Sequence, residues 1–136
     1  MKQTFFMLQM LLIASFAMAQ PNYKVVFDVT SQDTTDHKLA IRWANEVLKA
    51  EPTAKVEIVL YGKSLAMINK ERSIVSDALT QLASNKNASV KVCRVAMKAN
   101  NVEESQLVPG VQTVADGIYE IISRQRQGWG YIKVSH

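Results

Sequence analysis

Cysteine is almost absent from this 136-residue sequence, which contains one cysteine and two histidines. A single thiol cannot form an intrachain disulfide, and this ligand set has no recognisable metal-binding spacing, so we expect no metal. Neither G-x-G-x-x-G nor G-x-x-x-x-G-K-[ST] occurs, which argues against a bound dinucleotide or nucleoside triphosphate. The G-x-S-x-G nucleophile motif is missing as well. With no nucleotide-binding motif in the sequence, we expect no cofactor.

Neither positive nor negative charge strongly predominates in the sequence. The formal net charge is +4, from 16 Lys and Arg against 12 Asp and Glu. The basic residues are scattered along the chain and are not interleaved with aromatic residues, which argues against nucleic-acid binding. A solvated surface of mixed charge accounts for them.

One long apolar run stands at the start of the chain. Lys2 precedes an apolar stretch at 5–16, and Ala17-Met18-Ala19 follows as an A-x-A cleavage pattern. The run is shorter than the ~20 residues that a spanning helix needs, and polar Gln9 interrupts it. Residues 1–19 are therefore predicted to be a cleavable secretory signal peptide, with an uncleaved anchor as the alternative. The processed protein is then expected in the periplasm or the medium, without stable membrane insertion.

The remaining residues, 20–136, are enough for one domain with a single core. Runs rich in β-branched and aromatic residues predict five strands, at 23–29, 55–61, 90–93, 111–114 and 129–134. Apolar residues at helical spacing predict helices between them, at 35–49, from a cap at Ser73 to 82, at 94–100, and from a cap at Asp116 to about 128. This order predicts an α/β fold with a mainly parallel five-stranded sheet and helices on both faces.

The residues that could carry chemistry lie where these strands end, because ligands of such sheets gather beyond the carboxyl ends of the strands. Cys93 ends the third strand and begins a helix, and the helix dipole, backbone N–H groups and Arg94 would all favour its thiolate. His37, in the first turn of the first helix, is a candidate to take the proton.

A structural interpretation stands beside each of these candidates. Cys93 is equally well explained as a small buried hydrophobe, and His37 as a solvated surface residue. Asp33, near the same edge, is best explained as a helix N-cap. Trp129 and Tyr131, beside the last strand, are interpreted as structural, in the core or in a subunit contact.

Five segments, taken together in their order and spacing along the chain, resemble those of a known protein family. The sequence resembles the DsrE/DsrF-like family of small sulfur-relay proteins, and among them its exported members. The segments are 25–31, 56–62, 92–93, 107–111 and 124–132.

The resemblance implies a flavodoxin-like sheet, a homo-oligomer, and a cysteine that accepts sulfane sulfur as a persulfide and passes it to a partner protein. Cys93 is the matching position. This chain departs from related exported sequences at Tyr61, where they often carry a histidine. The leading hypothesis is an exported sulfur carrier in which Arg94 and His37 assist Cys93. The alternatives are a non-catalytic oligomeric domain that binds a small ligand or partner around a buried cysteine, and a redox thiol with an external resolving thiol.

Overall fold

Five strands and four helices alternate along residues 22–136, the part of the chain that the computed structural model describes. The strands are β1 (Lys24–Val29), β2 (Lys55–Leu60), β3 (Ala88–Cys93), β4 (Gln112–Val114) and β5 (Gly130–Lys133). The helices are α1 (Thr34–Ala50), α2 (Ser76–Ala83), α3 (Arg94–Ala99) and α4 (Gly117–Arg126), with 3-10 turns at Ser64–Met67 and Glu104–Gln106. The predicted signal peptide, residues 1–19, lies outside the described residues. Within 22–136, no helix combines the length and apolar character needed to cross a bilayer.

The sheet is parallel throughout, with the strand order β4-β3-β2-β1-β5. Parallel strands that follow each other in the chain can be joined only through a crossover, which is why a helix or turn separates every two strands in the sequence. The last crossover, through α4, takes the chain from β4 to β5 at the opposite edge of the sheet. The predicted single-domain α/β fold with a five-stranded parallel sheet is therefore confirmed.

One face of the sheet carries the main hydrophobic core. Alternate residues of the three central strands point into it, because successive side chains of a strand face opposite ways. α1 packs on this face through residues at positions i, i+3, i+4 and i+7, and α2 and α3 add further apolar side chains. The fully buried members on the strands and on α1 include Phe27, Val29, Ile58, Leu60, Val90, Val92, Ala40 and Ala44.

The opposite face of the sheet is covered by α4 alone among the four helices. Its apolar core is small and consists of Val26, Val59 and Ile121, with Tyr61 and Trp129 packed against them. Of the isoleucines that predicted this helix, only Ile121 is buried, while Ile118 and Ile122 are 55% and 45% exposed. Burial of apolar surface therefore contributes little to holding α4 on the sheet.

Charged side chains also join α4 to the sheet. Glu57, in the middle of β2, is 1% exposed, and its carboxylate lies 2.9 Å from the Arg124 Nη2 atom and 3.3 Å from the Lys91 Nζ atom. Ser89 donates a further hydrogen bond to it at 3.0 Å. Glu120 pairs with the same two cations, at 3.0 Å from Arg124 and 3.1 Å from Lys91. Burial raises the pKa of Glu57, against the opposing influence of Arg124 and Lys91.

Two of the predicted helix caps differ in outcome. Asp33 caps α1 as predicted, its carboxylate accepting from the Thr35 backbone N–H at 2.7 Å. The predicted cap at Ser73 is wrong, because α2 begins three residues later, at Ser76, after an N-cap residue, Val75, that offers no side-chain acceptor. The Ser73 hydroxyl instead accepts from the Val75 N–H at 3.2 Å and so closes a turn ahead of the helix.

Replacing Arg124 by Met should destabilise the protein by about 3 kcal/mol, because a buried carboxylate loses its closest cation. Arg42→Met is the matched control, since Arg42 pairs with Glu46 at 3.5 Å where both side chains are more than 60% exposed. That exposed pair should be worth less than about 1 kcal/mol. Urea unfolding followed by circular dichroism measures both, and equal losses would contradict the assigned role of the buried network.

Candidate functional site

The candidate site is a cavity of about 300 Å³ at the carboxyl edge of the sheet. It lies where neighbouring strands β3 and β4 send their helices to opposite faces, α3 to the main core and α4 to the smaller one. In open parallel sheets such a divergence opens a crevice, and ligands bind there. The residues that line the cavity are Tyr61, Gly62, Cys93, Val95, Ala96, Ala99, Asn100, Asp116 and Ile118.

Cys93 forms part of the cavity wall at the end of β3. Its side chain is 5% exposed and the residue is the N-cap of α3, without a capping hydrogen bond from its own side chain. It is a free cysteine. The thiol therefore lies at the end of a buried strand and beside a cavity, so the two interpretations of the sequence, a core residue and a site residue, describe the same position.

The first turn of α4 closes on Cys93 because Gly117 has no side chain. A Cβ atom at Gly117 would lie 3.3 Å from the Cβ atom of Cys93 and 3.2 Å from the Cδ1 atom of Tyr61. Both distances are tighter than ordinary van der Waals contact. A larger residue would therefore push α4 away from the thiol, and the cavity wall depends on this glycine.

Asp116 places a carboxylate at the cavity, as the cap of α4. Its Oδ1 atom accepts from the backbone N–H groups of Ile118 at 2.8 Å and Tyr119 at 3.3 Å, which confirms the predicted cap. The capping carboxylate thus takes up N–H groups that the start of a helix would otherwise offer to an anion.

A polar cluster stands behind Tyr61, on the side away from the thiol. The buried Asp28 carboxylate accepts from the hydroxyls of Tyr131 at 2.5 Å and Tyr61 at 3.3 Å, and lies 3.2 Å from the Lys133 Nζ atom. Burial and the nearby Asp28 charge raise the pKa of Tyr61 to about 12. The hydrogen bond to Asp28 and burial raise the pKa of Tyr131 to about 12. Both phenols are therefore neutral donors at physiological pH.

Arg94, the predicted neighbour of the thiol, is held outside the cavity lining. Its Nε atom donates to the Thr113 hydroxyl at 3.0 Å, and its Nη2 atom lies 3.4 Å from a carboxylate oxygen of Glu104. Both side chains of this ion pair are more than 60% exposed. The structure therefore directs the guanidinium toward β4 and the turn that precedes it.

His37, the predicted proton acceptor, is buried in the first turn of α1 and does not line the cavity. Its Nε2 atom lies 2.9 Å from the backbone carbonyl oxygen of Ser31, and since a carbonyl only accepts, Nε2 carries the proton. The imidazole thus ties the loop after β1 to the helix. The alternative interpretation of His37 as a solvated surface residue is wrong, because it is 2% exposed.

Sequence reasoning missed three contributors to this site, namely Tyr61 as a wall, Asp116 as a carboxylate in the cavity lining, and Gly117 as the point of close approach. A signal for two of them was present. Asp116 and Gly117 follow the fourth strand, at the same edge that singled out Cys93. Within residues 22–136, no group of three or more His, Cys, Asp or Glu side chains comes together in a way that could hold a metal ion.

The fold and the cavity define a class of small parallel α/β proteins with a thiol at the crevice of the sheet. The model of the DsrE/DsrF-like family matches residues 24–134, and the chain belongs to that family, which is generally one of sulfur relay. No curated protein matches the chain.

Solved structures show the same fold. A protein of unknown function from Methanobacterium thermoautotrophicum, MTH1491, is similar with a TM-score of 0.76 and 24% identity, over 82% of this chain and 98% of that one. The ychN protein from E. coli is similar with a TM-score of 0.68 and 14% identity, over 82% and 98%. A conserved protein of unknown function from Bacteroides thetaiotaomicron, BT1422, is similar with a TM-score of 0.62 and 18% identity, over 87% and 99%.

Raising the pH through the range from 10 to 12 should destabilise the protein. A phenol whose pKa is raised in the folded state stabilises the fold fully below the unfolded value of ~10 and loses that contribution as pH rises through the folded value. Urea midpoints at pH 9 and pH 11.5 measure the loss. Tyr131→Phe should lower the midpoint at pH 9 and show a smaller further drop at pH 11.5. Tyr23→Phe, at an exposed tyrosine outside this cluster, is the control and should behave as the wild type.

Proposed function

We propose that this protein is an exported sulfur carrier, in which Cys93 accepts sulfane sulfur as a persulfide and transfers it to a partner. The observation that supports the proposal is the position of the thiol on the wall of a cavity of about 300 Å³ at the crevice of the sheet. That volume is at the lower end of small-molecule sites. Family membership supports sulfur chemistry as the use of this cavity.

The proposed step is a sulfur transfer without net oxidation. The Cys93 thiolate attacks the outer sulfur of a donor persulfide R–S–SH, forming a new S–S bond while the donor S–S bond breaks. The products are the Cys93 persulfide and the thiolate R–S⁻, so atoms, electrons and charge balance. An acceptor thiolate then attacks the outer sulfur of the Cys93 persulfide in the same way and releases the Cys93 thiolate. Arg94 and His37 lie outside the cavity lining, and the proposal gives neither of them a contact with the donor.

Export and self-assembly are further parts of this proposal. Residues 1–19 support export to the periplasm or the medium through the charge of Lys2, the apolar stretch at 5–16 and the A-x-A pattern that follows it. A homo-oligomer is supported by large side chains left exposed on α4 and on the sheet face that α4 covers only in part, namely Ile118, Tyr119, Ile122 and Tyr131. Large exposed apolar side chains that lie together are typical of protein contacts.

One observation favours a second function, a non-catalytic binding domain. Cys93 is only 5% exposed and packs with the main core, as a structural cysteine does. In that case the cavity holds a small ligand or a partner side chain, and the thiol does no chemistry.

Sulfur loading of Cys93 separates the two functions. We expect the native protein, incubated with an organic persulfide donor, to gain the mass of one sulfur atom, and Cys93→Ser to gain none while it remains folded. Intact mass spectrometry measures the gain, and alkylation with and without urea shows whether the native thiol is accessible. If the thiol reacts only after unfolding, and loading fails, the binding domain is the better description.

Export predicts a defined N-terminus. When the full chain is produced in a Gram-negative host, we expect the protein in the periplasmic fraction to begin at Gln20, after Ala19. Ala19→Arg should block processing and leave the longer chain with the membranes. N-terminal sequencing and intact mass of each cell fraction measure this, and a wild-type chain that stays unprocessed in the cytoplasm would contradict export.

A further inference from the structure

The lining of the cavity that contains Cys93 is mainly apolar and includes one carboxylate. Among the described residues that line it, Asp116 is the one with a charged side chain, and it is half-buried. The remaining walls are mainly apolar, with Val95 and Ile118 both lining the cavity and more than half exposed to solvent. A ligand that enters therefore meets exposed apolar side chains and a carboxylate that lines the same cavity as the thiol.

Two groups near the cavity that could offset this charge bond to the protein itself. The N–H groups of Ile118 and Tyr119, at the positive end of α4, bond to the Asp116 carboxylate itself. The Arg94 guanidinium bonds to Thr113 and lies in an ion pair with Glu104, away from the lining. These two groups thus stabilise the protein's own carboxylates instead of an incoming anion.

The apolar walls and the carboxylate of the cavity have opposite effects on the binding of neutral and of anionic ligands. An anion entering the cavity loses water to apolar walls and approaches a like charge, and both effects cost free energy. A neutral ligand with an apolar substituent loses little hydration and gains contacts with the walls.

We infer that the cavity selects neutral sulfane-sulfur donors with a small apolar substituent, in the form R–S–SH, and excludes anionic donors such as thiosulfate or polysulfide ions. This inference rests on the proposed function of Cys93 and specifies its substrate class. Asp116 acts as the group that determines specificity, and it takes no part in bond making.

Three thiol reagents that differ in charge test the inference. Propyl, trimethylammonioethyl and sulfonatoethyl methanethiosulfonate are neutral, cationic and anionic, and each gives Cys93–S–S–R and methanesulfinate by the same displacement. The rate on the native protein is divided by the rate on the protein unfolded in urea, which removes differences in intrinsic reactivity. Intact mass spectrometry follows each reaction.

We expect the normalised rate of the neutral reagent to exceed that of the anionic one by about tenfold or more, as a like charge nearby in a partly desolvated site implies. The cationic reagent should also exceed the anionic one of similar size. Asp116→Asn keeps a good cap residue and removes the charge, and it should bring the cationic and anionic rates to within about threefold. Glu46→Gln, the same charge change on the exposed side of α1, should leave all the ratios unchanged.

The outcomes separate this inference from the proposed function. If the anionic reagent reacts as fast as the neutral one, or if Asp116→Asn does not change the ratios, charge selection is wrong, whether or not Cys93 loads sulfur. If the charge order holds but an organic persulfide adds no sulfur to Cys93, the cavity is selective and the sulfur-carrier function is wrong. If no reagent labels the native protein, both are overturned.

Discussion

The contact between Glu57 and Arg124 joins two layers of the molecule that hydrophobic packing alone holds weakly. Only three residues form the buried apolar core beneath α4, whereas the carboxylate of Glu57 is fully buried and meets two cations. A buried carboxylate is stable only while such partners are in place, so α4 has one position on the sheet. The start of that helix forms a wall of the thiol cavity, and the cavity therefore depends on an ion pair at the far end of α4.

Tyr61 connects a strongly polar region to a mainly apolar one. Its hydroxyl faces the Asp28 cluster, where Tyr131 and Lys133 satisfy the buried carboxylate, and its ring faces Cys93 and Gly117. The charge of Asp28 is thus compensated on its own side of the ring. Asp116 has no comparable cation among its hydrogen-bond partners, which are backbone N–H groups. The two carboxylates thus differ in their partners: Asp28, behind Tyr61, has a lysine beside it, whereas Asp116, in the cavity lining, accepts from backbone N–H groups.

The order of strands and helices could be predicted from sequence because it depends on local periodicity, and the position of Cys93 at a strand end follows from it. The environment of the candidate residues could not be predicted from sequence. Glu57 stands within an apolar strand pattern, and its main partner is 67 residues away. The hydrogen bond of His37 and the ion pair of Arg94 depend on how loops fold back, which periodicity does not report. The cap at Ser73 was wrong because a short turn competed for the same hydroxyl.

The spacing of residues along α4 imposes a constraint that its amino-acid composition does not reveal. Gly117 and Arg124 are seven residues apart, which is nearly two turns and about 10.5 Å, so both face the sheet. One inserted residue between them would rotate Gly117 by about 100° relative to Arg124 and bring a side chain against the thiol. Residues on the outer side, such as Tyr119, are free of this requirement. Across relatives that use the same anchor, this segment should therefore vary in sequence but tolerate neither insertions nor deletions.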